Sequence, residues 1–313
     1  MPGKTTNWTD GAHATNDLWE TAGNWSNGVP VDGDTVVVPA NFAGPALWSA
    51  KPAQAISLAA LRILGAGVDG NLSTDISSNI TITEALDIEL VPPSNVPFVW
   101  EGTVEATAST VHIGNWTACK GTLAIAPANA ILFDGNARII PGGGGEPQTI
   151  VGNVTWEASY AFNDAIIMGD LALNATGMDG GEVSGLITQA AMAPILAGTA
   201  SGPVVASGVI SGGNFSGVVL ATAGATLTGG TITGRLHVQG TLPAAVQDVR
   251  LGGAVVDLDV ACEFGAADHP VLADGAVFRL RNPAAVPTMT NVLGTYSLVH
   301  AYRLAEAMRA GLL

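Results

Sequence analysis

The feature that most restricts the fold is a recurrence of paired glycines within short β-prone runs. Between residues 177 and 256 the text reads "GMDGGEVSGLI", "VISGGNFSGVVL", "TLTGGTITGRLHV" and "RLGGAVVDLDV", and the pairs fall at Gly180-Gly181, Gly212-Gly213, Gly229-Gly230 and Gly252-Gly253. The first gap is nearly twice the second, and the third lies between them. One coil of about 16 to 23 residues, with the longest gap counted as two coils, accommodates all three, and a repeat of this length is that of a β-solenoid rung. Coils stack about 4.8 Å apart, so small side chains repeat along the inside and glycine turns the corners between strands.

The rest of the middle of the chain has the same grammar. Runs such as "NITITEALDIEL", "STVHIGN", "GTLAIAP" and "DLALNAT" are separated by Gly, Asn, Asp or Pro. The alternation of Ile80, Ile82, Leu86, Ile88 and Leu90 is that of strands with one buried face. The expected fold is all-β, a right-handed parallel β-helix spanning 51–287, with an aromatic-rich cap at 1–50 and a tail at 288–313. A stack of coils leaves open ends, so caps are required. The first segment holds Trp8, Trp19, Trp25 and Trp48, four of the seven tryptophans. In the tail, "YSLVHAYRLAEAMRAGLL" places Leu298, Tyr302, Ala305, Met308 and Leu312 at helical spacing, which predicts an amphipathic helix over about 298–310.

Composition narrows the function. Only 12% of residues are charged and the formal net charge is −15, with eleven basic residues scattered along the chain. That balance argues against a nucleic-acid partner, which asks for clustered Lys and Arg. There is no unbroken apolar run of about 18 residues, so no membrane-spanning helix is expected. The first residues, "MPGKTTNWTDGAHATNDLW", lack an apolar core after Lys4, which predicts use without conventional export. Cys119 and Cys262 lie far apart without CxxC spacing and read as small buried hydrophobes, not as a zinc site or a disulfide framework.

Catalytic constellations are sparse. Enzymes on solenoids use carboxylate pairs on polysaccharides, and the best candidates are Asp257 and Asp259, two apart on one strand face, with Glu263 and Asp268 nearby. The same spacing is also that of a solvated strand face, which is the preferred reading. Asp32 and Asp34 in "VDGDT" read as turn formers whose side chains accept backbone amides, not as calcium ligands. His13, His112, His237, His269 and His300 share no spacing, and "PGGGGEP" at 141–147 lacks the Lys-Ser/Thr of a phosphate loop. No cofactor and no metal are expected.

The stretch "GNWSNGVPVDGDTVVVP", with Trp19 upstream and Gly23, Asn24, Trp25, Gly28, Pro30, Gly33, Asp34 and Val36 to Val38, resembles the opening motif of β-solenoid proteins found on bacterial surfaces and in virions of tailed bacteriophages. The surface branch normally brings a leader peptide and the phage branch does not. The resemblance therefore points to a capsid decoration, cement or head-spike protein, often trimeric, assembled in the host cytoplasm and carried on the outer surface of the virion. It implies no catalysis, the major capsid protein as partner, and Trp8, Trp19, Trp25, Trp48, Tyr302, Met308 and Leu312 as partner-binding residues at the two ends. A spike that binds or cleaves glycans, and a bacterial adhesin, are the competing expectations.

Overall fold

A computed structural model describes residues 3–9, 19–39, 52–64, 80–89, 98–100, 103–106, 110–114, 117–119, 122–125, 130–135, 137, 139, 148–163 and 165–303, with backbone alone at 88–89, 98–100, 103–106, 110, 117–119 and 122–125. Two compact units, Met1–Gly169 and Asp170–Leu313, divide the chain. Nearly all described elements are short parallel strands, and each unit is a stack of coils, so the chain is a β-solenoid.

In the first unit one row of strands runs Thr5–Asn7, Thr35–Val38, Ile56–Ile63, Ile80–Glu89, Thr110–Gly114, Ala130–Asp134 and Asn153–Trp156. Each pairs in parallel with the next. The register aligns Val36, Leu61, Leu86, Val111, Ile131 and Val154 in one column, all buried. Alternation sends these residues inward and their neighbours outward, which is why such short strands suffice. The coils from Val36 through Leu61 and Leu86 to Val111 are slightly longer than the glycine spacing predicts, and those from Val111 through Ile131 to Val154 fall within it. The strands at 5–7 and 35–38, within the expected cap, pair into the same row as 56–63.

The second unit repeats the pattern through Leu171–Leu173, Ile187–Gln189, Val204–Ala206, Val218–Ala221, Arg235–Val238, Val255–Leu258, Ala276–Leu280 and Tyr296–His300. Its inner column is Leu171, Ile187, Val204, Val219, Leu236, Val256, Phe278 and Leu298. Its coils are the tighter ones, shortest from Val204 to Val219 and longest from Val256 to Phe278. The longest glycine gap, from Gly181 to Gly213, does hold two coils. Gly181, Gly198, Gly213 and Gly230 precede aligned residues in successive coils and all have positive φ, at 78°, 108°, 95° and 93°. Gly198 stands alone in "AGT", so the pairing signal passes over it. The pair Gly252-Gly253 stands outside this column, because Arg250 aligns with Thr231 and puts Val249 opposite Gly230.

The expected short C-terminal helix is present, but it starts later than about 298. Leu298 belongs to the strand Tyr296–His300, which pairs along its whole length with Ala276–Leu280. Helical geometry begins at 301. The backbone partners offered by the preceding coil outweigh helix propensity in a segment, "YSLVH", that is itself β-prone. Met308 and Leu312, like Trp48 and the loop 141–147, lie outside the described residues.

Candidate functional site

The three described tryptophans of the N-terminal segment are spent on one another. Trp8 and Trp25 meet edge to face with centroids 5.1 Å apart, and Trp19 and Trp25 do so at 4.8 Å. The indole Nε1 of Trp25 donates to the Trp19 carbonyl at 2.6 Å, and all three rings are buried. Such a cluster is a packing core in which every ring finds an edge or face partner. A partner approaching this end therefore meets the surroundings of the rings.

The acidic turn beside it is also structural. Asp34 is buried; its Oδ1 accepts the Lys4 amide at 2.9 Å and its Oδ2 the Val31 amide at 2.9 Å. Asp32 Oδ1 accepts the Ser57 amide at 2.9 Å, tying the turn to the next coil. A cleft of about 530 Å³ runs along Trp19, Pro30, Val31, Pro52 and Ile56. Its two carboxylates, Asp32 and Glu20, are both engaged by backbone amides, Glu20 by that of Ala53.

The carboxylate pair Asp257 and Asp259 does share an outward face, and the register surrounds it with cations. Asp257, 1% exposed, receives a two-pronged bond from Arg279, Nε to Oδ1 at 2.7 Å and Nη2 to Oδ2 at 2.6 Å. Arg235 Nε approaches Oδ2 from the other side at 3.3 Å. Asp259 Oδ2 takes His237 Nε2 at 2.8 Å, and its Oδ1 faces Arg281 Nε at 3.4 Å. Burial alone would raise the Asp257 carboxyl, but the Arg279 hydrogen bonds and the charges of Arg279, Arg235 and Arg281 outweigh it and hold the group below its ordinary value. A general acid needs the opposite shift. Glu263 lies on a different strand row and accepts from the Thr290 hydroxyl, so it does not join the pair.

Sequence reasoning missed these cations, although a signal exists. "RLH" at 235–237, "DLD" at 257–259 and "RLR" at 279–281 recur at equal steps, although the register sets His237, and not Arg235, opposite Asp257. Cys262 is half-buried, and burial pushes its thiol up to about 12, so it stays protonated and unreactive at neutral pH. Among the described residues no group of three or more His, Cys, Asp or Glu is arranged to hold a metal ion.

The end of the second unit is different. Phe278 in the inner column is fully buried, whereas its successor Leu298 is 45% exposed. All five residues of Tyr296–His300 are exposed, and Leu293 joins them. Tyr302 sits half-buried just beyond, its ring edge to face with His300.

Fold and surface chemistry together define a β-solenoid in which Asp257 and Asp259 tie neighbouring coils together. No protein-family model matches the chain, and no curated protein or solved structure is significantly similar to it.

Proposed function

We propose that this chain is a structural virion protein, a solenoid that decorates or reinforces the assembled capsid of a tailed bacteriophage and meets the major capsid protein through its terminal segments. The observation that carries the reading is the last described coil, where inward-pointing Tyr296 and Leu298 stand 42% and 45% exposed on an otherwise closed column. An apolar surface of this kind is covered by something in the working state. Copies of the chain arranged as a trimer on a symmetric shell would multiply a modest single contact into firm attachment. The likeness of the Trp19 to Val38 motif to phage solenoids supplies the kind of assembly. The absence of a catalytic role is supported by Asp257 and Asp259, whose carboxylates are already paired with Arg279, Arg235, His237 and Arg281.

The test is sedimentation of the full chain with capsids assembled from the major capsid protein encoded nearest its gene. Wild type should co-sediment, and Leu298→Glu should weaken binding by about tenfold or more, the cost of one buried anchor. Equal binding by the variant would remove the terminal coil as the docking surface. Absence of any capsid gene nearby, or release of reducing sugars from a glycan panel, would overturn the reading as a whole.

A further inference from the structure

His112 occupies a position shared by no other described histidine. Its Nδ1 lies 2.8 Å from Asp87 Oδ1 and its Nε2 lies 3.0 Å from Asp134 Oδ1. Asp87 belongs to the coil on one side, in direct register with His112, and Asp134 to the coil on the other. A neutral imidazole has one N–H and one bare nitrogen, and an ionised carboxylate only accepts. With a carboxylate at each nitrogen, the ring satisfies both contacts only as the imidazolium, donating in both directions.

The other histidine pairs lack this demand. His237 meets Asp259 and Arg281 through the same Nε2, at 2.8 and 3.4 Å. His269 uses Nδ1 alone on Asp248, with half its side chain in solvent. Each sets a carboxylate against one ring nitrogen only.

We propose that the Asp87–His112–Asp134 bridge is a pH-sensitive staple across three successive coils, closed while the ring is doubly protonated and released when it loses a proton. On deprotonation one nitrogen turns its lone pair toward a carboxylate, so a charge-assisted hydrogen bond becomes a repulsive contact. The two carboxylates that meet the ring from the neighbouring strands, Asp87 and Asp134, favour the closed form. Ile80–Glu89 brings Glu84, Asp87 and Glu89, the last in register with Gly114. Ala130–Asp134 brings Asp134, and Arg62 stands one coil beyond, in register with Asp87. Burial works against the charged ring, yet the hydrogen bonds and charges of Asp134 and Asp87 outweigh it and raise the group above its ordinary 6.5.

A group whose folded value lies above its unfolded one contributes stability that is complete below the unfolded value and lost as pH rises through the folded one. The coils 80–134 are therefore tight at mildly acidic pH and loosen on the alkaline side. This device is independent of what the protein docks onto.

Nitrogen-15 spectra of the histidine-labelled full chain test it, with His112→Gln used to assign the signal. Both nitrogens of His112 should remain protonated above pH 6.5, and Asp87→Asn or Asp134→Asn should each lower the midpoint. Hydrogen-exchange protection factors for amides in 80–89, 110–114 and 130–134 should fall about tenfold as the ring deprotonates, the loss of one charged hydrogen bond. Those in 204–206 and 218–221 should not change over the same range. A His112 midpoint at or below 6.5, or protection that follows the same pH course in wild type and His112→Gln, would overturn the proposal, and the wild-type titration decides even if a variant folds poorly.

Discussion

Asp257 illustrates how a residue's chemistry is settled by its neighbours across coils. On its strand it is one of two outward carboxylates, a pattern equally compatible with an acid–base pair and a solvated face. Bonded on both oxygens by Arg279 and flanked by Arg235, it is an ionised crosslink at neutral pH. Its pKa is lowered, so the stability it supplies is present above the unfolded carboxylate value, 3.8, and disappears as pH falls through the folded one. Wild type should lose thermal stability steeply below about pH 4, the ordinary range for Asp. Asp257→Asn should be less stable by roughly 1.5–3 kcal/mol at pH 7, the worth of hydrogen bonds to a charged group, with a shallower decline in acid. Melting curves from pH 2.5 to 7 for both proteins would show it; parallel profiles would mean that the pair contributes little.

Among elements, the corners decide whether coils stack. At Gly230 a Cβ would stand 3.0 Å from the carbonyl oxygens of Gly212 and Gly213 in the coil below, and φ is 93°. Both constraints exclude a side chain: the left-handed region costs an L-residue roughly 1–2 kcal/mol, and the neighbour is rigid backbone. Gly230→Ala should therefore lower stability by at least that amount in denaturant unfolding. Gly253, also at positive φ, has nothing within 4 Å of its Cβ position, so Gly253→Ala should cost only the conformational part. Equal losses at the two sites would show that close approach of the coils is unimportant. The strand Tyr296–His300 makes the complementary point, since the paired edge of the preceding coil extends strand through His300 and delays the helix to 301.

At the scale of the molecule, each coil of the second unit contacts chiefly the coils before and after it, so stability is a sum over neighbours. Deleting residues 188–204 removes one turn and sets Val205 in the place of Thr188, with which it is already in register. That deletion should leave a cooperative β-structured protein whose midpoint falls by a few degrees. Removing only 188–195 takes out about half a coil, so the strands that follow lose the register with their parallel partners, and should abolish cooperative unfolding, as followed by circular dichroism. Similar melts for the two deletions would contradict the stacked-coil account.

The sequence alone determined the fold class and the approximate length of a coil, because glycines needed at corners and alternating apolar residues needed inside are local requirements, written afresh into every coil. It also identified Asp32 and Asp34 as acceptors of backbone amides, although only the Val31 amide on Asp34 is local, those of Lys4 and Ser57 coming from distant parts of the chain. What it left open is what touches what between coils. "LRI", "LDI" and "VHI" recur at 61–63, 86–88 and 111–113, and "RLH", "DLD" and "RLR" at 235–237, 257–259 and 279–281. Their meaning depends on register, set by how much chain each corner consumes. Only the tertiary structure placed His112 between two carboxylates, Asp257 between two guanidinium groups and Leu298 in an exposed coil. In a parallel stack at about 4.8 Å like charges would repel from coil to coil, and the alternation of sign up these columns becomes visible only once the register is known.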